Sequence, residues 1–278
     1  MPASSPYGAA LIQTNIPYGN EPARQNFDLI LPAQKNSQPF PLVIWIHGGA
    51  WMMGIKEWDN VKYLVKHGYA IASVDYRFST ESPFPAQIQD CNAAMNFILA
   101  HAAYYGVSAK NFVVGGGSAG GHLALLLGLA RGEKDFDANP DIRPAAVLDF
   151  FGPTDFTRMK ADTEAIHSAK GAELYQDAGT KLFGQPADTA TNEARVASPI
   201  NYVGAGNPPV LILQGGKDDL VPAAQSGRLH EALDRAGVKN QLIIVPDAGH
   251  DGPLFSTPEI AKKAVFFLDG VFGKTNGG

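Results

Sequence analysis

The chain has 278 residues, and its 22 Lys and Arg against 27 Asp and Glu give a formal net charge of −5, which excludes a nucleic-acid-binding domain driven by phosphate attraction. Hydrophobic residues make up 45%, including 15 Phe and 9 Tyr, enough for one sizeable core and too many for global disorder. The single cysteine, Cys91, excludes an internal disulfide. The opening MPASSPYGAA carries neither a basic n-region nor an apolar h-region, and no apolar run approaches the roughly 20 residues of a bilayer-spanning helix. The expectation is a chain without nucleic-acid or membrane partners, cytoplasmic as written or secreted if a leader has been removed.

In chain order, residues 11–18 form a weakly apolar run placed at a sheet edge. Residues 27–31 (FDLIL), 42–46 (LVIWI) and 69–74 (YAIASV) then read as strands. Over 85–102, Ile88, Cys91, Met95, Ile98 and Leu99 recur at steps of three and four, which predicts a helix with Cys91 in its buried face. The strand 112–115 (FVVG) leads into 118–130 (SAGGHLALLLGLA), apolar almost all round and therefore a helix buried under the sheet. Strand 145–151 is followed by 152–202, rich in Ala, Thr, Asp and Gly, which predicts two short helices and no strand. This stretch is read as an insertion, either a lid over the loop ends of the sheet or an ordinary surface excursion. Strands 209–213 and 241–245 alternate with helices 222–236 and 258–271, each helix opening with proline in its first turn. The alternation predicts one α/β domain over 1–278: a mostly parallel eight-stranded sheet with helices on both faces and the insertion ahead of the strand 209–213.

The stretch FVVGGGSAGGH places Gly116-Gly117-Ser118-Ala119-Gly120, a G-x-S-x-G pattern, between a strand and a helix. A serine on that turn needs strained backbone angles, and glycines on either side remove the Cβ atoms that would collide with neighbours. The same letters also spell G-x-G-x-x-G through Gly115, Gly117 and Gly120, a dinucleotide-binding fingerprint. Against that second reading, several strands come earlier, and the region about 20 positions on, Asn139-Pro140-Asp141, reads as loop rather than a strand end carrying an acid.

A serine nucleophile needs a histidine base held by a carboxylate. His250 lies in PDAGHDG, a turn-rich loop directly after a strand. His67, His101 and His230 fall within helical periods, His122 lies one turn into the buried helix, and His167 lies in the insertion. Asp218 and Asp219, in GGKDDLVP, follow the strand 209–213; one of the pair is free to cap the next helix while the other orients the histidine. The serine, acid and histidine each follow a separate strand, in the order used by α/β-hydrolases. His47-Gly48-Gly49-Ala50-Trp51 follows another strand, and the N–H groups of Gly48, Gly49 and Ala50, with that of Ala119, are candidates for an oxyanion hole. Trp51, Met52, Met53 and Phe78 are candidate substrate-pocket residues, with packing of the insertion as the alternative. No H-E-x-x-H pattern is present: His230-Glu231 is followed by Asp234 where a second histidine is needed, so no metal is expected. Gly273-Lys274-Thr275 lacks the upstream glycine of a phosphate loop.

Together HGGAW, DYRFSTESPFPAQIQD, GGGSAGGH, GKDDLVP and DAGHDG resemble the α/β-hydrolase esterases related to hormone-sensitive lipase, and within them bacterial carbohydrate acetyl and feruloyl esterases and kynurenine formamidases. The resemblance implies Ser118, Asp218 and His250 as the catalytic triad, with Asp218 preferred over Asp219 because it matches a D-x-x-V-P pattern. It implies a serine carboxylesterase of short acyl or feruloyl esters, with no cofactor and a small-molecule ester as partner; formamidase-type amide hydrolysis and dinucleotide-dependent oxidoreduction are the alternatives. Ala50 stands where many relatives carry a third glycine. Oligomeric state is not legible.

Overall fold

The computed structural model describes residues 9–21, 23–34 and 37–273. In chain order the strands and helices are β1 (Ala9–Pro17), β2 (Asn26–Pro32), β3 (Phe40–Ile46), the one-turn α1 (Tyr63–Lys66), β4 (Ala70–Val74), α2 (Ala86–Ala100), the short α3 (Ala102–Tyr105), β5 (Val107–Gly117), α4 (Ala119–Leu129), β6 (Val147–Phe150), α5 (Phe156–Ala165), α6 (Ala169–Phe183), α7 (Thr191–Ala197), β7 (Val210–Gly215), α8 (Ala223–Arg235), β8 (Asn240–Val245) and α9 (Pro258–Phe272). They build one eight-stranded sheet in the order β1-β2-β4-β3-β5-β6-β7-β8. β1–β2 and β2–β4 pair antiparallel, and every pairing from β4–β3 onward is parallel.

Side chains alternate between two cores, as the two-residue period of a strand requires. Leu42, Ile44 and Ile46 of β3 face the core that holds Ile88 and Met95 of α2, Leu123 of α4 and Leu229 of α8. Val43 and Trp45 face the opposite core, with Leu64 of α1 and Ile260 and Leu268 of α9. Helices on both faces explain why β3 to β7 read as nearly continuous apolar runs. Cys91 is buried in the first core on α2, and burial pushes its thiol pKa up.

The stretch 152–202 departs in one respect from its sequence reading. It holds three α-helices and a 3-10 turn (Pro199–Tyr202) rather than two short helices. The longest, α6, is closed at both ends: Ser168 Oγ accepts the Gly171 N–H at 2.9 Å, and Gly184 ends it in the left-handed conformation. α5 begins at an Asp155 cap, and Asp162 on it pairs with both terminal nitrogens of Arg228 on α8. The loops that follow β3, β5, β6, β7 and β8 all emerge at the carboxyl edge of adjacent parallel strands, so residues far apart in sequence meet there.

Candidate active site

Ser118 sits at the joint between β5 and α4 with φ 56° and ψ −121°, a conformation few non-glycine residues adopt. Its N–H donates to the Phe150 carbonyl at 2.8 Å, tying the turn to β6. A Cβ on Gly120 would stand 2.0 Å from the Ile46 carbonyl oxygen, and one on Gly48 2.9 Å from that of Gly117. Glycine at these positions lets β3, the turn and α4 approach closely enough to raise the hydroxyl above the sheet.

His250 Nε2 lies 2.8 Å from Ser118 Oγ, and its Nδ1 lies 2.8 Å from Asp218 Oδ2. With Nδ1–H donating to the carboxylate, Nε2 is the atom left to accept the serine proton. Phe151, itself at φ 44°, packs its ring edge-on to the imidazole at 5.0 Å and is braced by Phe255 at 4.6 Å.

α8 opens at Pro222 with no side-chain cap, so neither aspartate caps it, and it is the buried Asp218 that meets the histidine. Its Oδ1 accepts the Leu220 and Val221 N–H groups, each at 2.9 Å, while Oδ2 accepts from His250 and from Gln214 Nε2 at 3.0 Å. Asp219 instead points to solvent, 3.8 Å from Lys170 Nζ. Gln214 was missed in the sequence; a polar residue closing an otherwise apolar strand was its only signal.

The turn after β3 supplies the oxyanion candidates. Gly49 at φ 110° carries no Cβ because one would meet the Met53 carbonyl oxygen at 2.0 Å. Ala50 and Trp51 follow at φ 52° and 59°. Gly49 O accepts from the Met52 and Met53 N–H groups at 3.0 and 3.1 Å, while the N–H groups of Gly49 and Ala50 have no backbone acceptor among the described residues. Ala119 is the first residue of α4, so its N–H also lacks an acceptor one turn back. His47 anchors the turn from below: its Nε2 meets Asp75 Oδ1 at 3.1 Å and its ring stacks on Tyr76 at 4.6 Å.

Two cavities meet at Ser118. The larger, about 460 Å³, is lined among others by Gly48, Gly49, Met52, Met53, Asn60 and His250. The smaller, about 40 Å³, is walled by Ala50, Trp51 and, from the 152–202 stretch, Phe156, Met159 and Tyr175. Met52 therefore stands in the wide cleft and Trp51 beside the small cavity. Phe78 does not reach either. Arg77 is held by the Asp90 carboxylate at 2.8 Å, which turns the chain away, and Phe78 packs behind His47 with Arg24 above its ring at 3.6 Å.

Two buried ionisable groups lie under the nucleophile turn. His122 accepts the Trp51 indole N–H on Nδ1 at 3.1 Å and donates from Nε2 to the Ala197 carbonyl at 2.8 Å; burial pushes its pKa down to about 4. Asp149 on β6 accepts the Gly152 N–H at 3.0 Å on Oδ1, its Oδ2 has no partner among the described residues, and burial pushes its pKa up to about 8.

The glycines of the alternative fingerprint face protein, not open space. Cβ atoms on Gly115 and Gly117 would meet Leu148 and Phe151, and Asn139 to Asp141 lie in a loop. Among the described residues no cluster of three His, Cys, Asp or Glu suits a metal, and no helix is long and apolar enough to cross a membrane. Lys274 and Thr275 lie outside the described residues.

A family model described as BD-FAE matches residues 27–233. Among curated proteins, the probable carboxylic ester hydrolase LipM of Mycobacterium tuberculosis is 31% identical over 67% of this chain and 43% of its own length. Esterase LipC of the same organism is 28% identical over 84% of this chain and 58% of its own. The chain thus spans about half the length of these relatives. Among solved structures, a truncated carbohydrate esterase from gut microbiota superposes with a TM-score of 0.84 at 27% identity, covering 97% of this chain and 99% of the other. The eight-stranded sheet, the strand-end loops and these relatives agree: the chain has the α/β-hydrolase fold and belongs to the BD-FAE family.

Proposed function

We propose that the protein is a serine carboxylesterase that removes a short acyl group, acetyl foremost, from a larger alcohol. The observation that carries this reading is the Asp218–His250–Ser118 hydrogen-bonded chain, 2.8 Å at each link, set between two cavities of unequal size. His250 takes the Ser118 proton as Oγ attacks the ester carbonyl, and the N–H groups of Ala119, Ala50 and Gly49 receive the developing oxyanion. The protonated imidazole then gives its proton to the departing alcohol oxygen, leaving an acyl-Ser118 that water hydrolyses by the same route.

Because the imidazole must reach the leaving oxygen, the alcohol lies on the His250 side, in the 460 Å³ cleft, and the acyl group on the opposite side. The acyl side is the 40 Å³ cavity. At roughly 10 to 15 Å³ per water-sized centre, it takes about three or four heavy atoms, which suits acetyl and rejects a feruloyl ring. The name of the gut-microbiota neighbour supports a carbohydrate as the alcohol.

The test is hydrolysis of p-nitrophenyl esters from acetate upward, with methyl ferulate and N-formylkynurenine alongside and Ser118→Ala in parallel. The expected result is highest kcat/KM on acetate, falling with chain length, and a loss of at least about 10³-fold in the variant. A folded chain silent on every ester would overturn the reading. Preference for N-formylkynurenine would move it to amide hydrolysis.

A further inference from the structure

Ala50 and Trp51 hold consecutive left-handed backbone angles, each disfavoured by about 1–2 kcal/mol for a residue with a Cβ. Such angles persist only where the surroundings over-determine them. The Trp51 carbonyl accepts the Ser79 N–H at 2.7 Å, and its indole is buried edge-on to His122 at 5.3 Å and tilted against Phe156 at 5.5 Å. The one polar atom of that indole is taken by His122 Nδ1.

His122 joins three parts of the molecule. Its backbone N–H donates to the Ser118 carbonyl at 3.0 Å, one turn along α4 from the nucleophile. Its Nδ1 holds the turn that carries the oxyanion candidates, and its Nε2–H reaches Ala197 at the end of α7 in the 152–202 stretch. One neutral tautomer satisfies both ring contacts, and an apolar side chain in its place would leave a buried indole N–H unpaired.

We propose that His122 is a positioning residue for the oxyanion hole: by gripping the Trp51 indole it holds residues 49–51 in the backbone that aims the Ala50 N–H at the substrate carbonyl oxygen, and by bonding Ala197 it ties that aim to the seating of α7. The inference rests on the serine-esterase reading above. A merely structural histidine would affect stability and the amount of active protein. A positioning histidine affects transition-state stabilisation, which shows in kcat rather than KM.

The experiment compares wild type, Trp51→Phe, His122→Leu, His122→Asn and the double variant Trp51→Phe/His122→Leu. Each is measured for p-nitrophenyl acetate kinetics, corrected for active protein by fluorophosphonate titration of Ser118, and for inhibition by a boronic acid that forms a tetrahedral adduct. His122→Leu and Trp51→Phe are each expected to lower kcat roughly 10- to 100-fold with KM within about twofold, and to weaken the boronate by a similar factor. The double variant should be no worse than the worse single one, because both remove the same contact. His122→Asn, which keeps an acceptor near the Nδ1 position, should recover most of the loss. Unchanged kcat in Trp51→Phe, losses that multiply in the double variant, or no recovery in His122→Asn would overturn the inference, and Trp51→Phe decides alone if His122→Leu fails to fold. A wild type inert on every ester fails the serine-esterase reading instead, and is recognised before any variant is compared.

Discussion

Two histidines are bonded to Ser118, His250 to its hydroxyl and His122 through the backbone to its carbonyl, and they use their ring nitrogens in opposite ways. His250 gives its Nδ1–H to a buried carboxylate and leaves Nε2 facing the serine hydroxyl at the edge of a wide cleft. His122 keeps the proton on Nε2 for a backbone carbonyl, accepts an indole on Nδ1, and is fully buried beside the small cavity wall. The side chain is the same and its partners differ. A carboxylate partner prepares an imidazole to gain positive charge during a reaction, whereas neutral partners in a dry site keep it neutral and make it a strut. The 460 Å³ side, proposed above to take the alcohol, is therefore open and holds the carboxylate, and the 40 Å³ side, proposed to take the acyl group, is walled by neutral groups.

The sharpest way to break this contrast is to remove the charge from the open side. Asp218→Asn is expected to lower kcat by about 10⁴-fold by disturbing the tautomer of His250, while Asp219→Asn stays within about twofold because its carboxylate lies at the surface beside Lys170. Steady-state kinetics on one acetate ester decide it, and a large loss in Asp219→Asn with little change in Asp218→Asn would move the acid assignment to Asp219.

On the closed side, shortening a wall residue should change selectivity rather than chemistry. Met159→Ala removes a buried side chain lining the 40 Å³ cavity, and the butyrate-to-acetate ratio of kcat/KM is expected to rise about tenfold. An unchanged ratio would mean that the acyl group lies in the larger cleft.

The smallest effects are on stability, and they run in opposite directions with pH. His122 is neutral in the fold down to about pH 4, whereas in the unfolded chain it takes up a proton near 6.5. It therefore supports the fold fully above that pH, and the support declines as pH falls from 6.5 towards 4. Asp149 is protonated in the fold up to about pH 8 and ionises near 3.8 when unfolded, so it erodes stability as pH rises through that window. Asp149→Asn should match the wild-type melting temperature near pH 4 and exceed it at pH 8 by on the order of 5 °C. Parallel melting curves across the range would show that Asp149 is ionised in the fold.

Much of the architecture was legible in the order of residues. Strands that are apolar on both faces announce a parallel sheet with helices on each side, because no polar face is left for water. The serine turn was readable because its pattern is local: Gly116, Ser118 and Gly120 fall within five positions, and a Cβ on Gly116 would meet the Gly120 backbone. The helices of 152–202 were harder to read, because α5 is held by its Asp162 contact to Arg228 of α8, α7 is only seven residues long, and the buried face of α6 is built partly from small residues such as Gly171, Ala178 and Gly179.

What the sequence by itself determined is the fold class, the serine turn, and a histidine and an aspartate on loops after later strands, all set by short-range patterns of apolarity, glycine and turn residues. The tertiary structure alone decided which of two adjacent aspartates meets His250, that Phe78 packs behind His47 while Trp51 walls a small cavity, and that His122 joins the turn after β3 to α7. Those outcomes depend on where separate strand ends come to rest, and a hydrogen bond between residues 51, 122 and 197 leaves no mark in any local window of the chain.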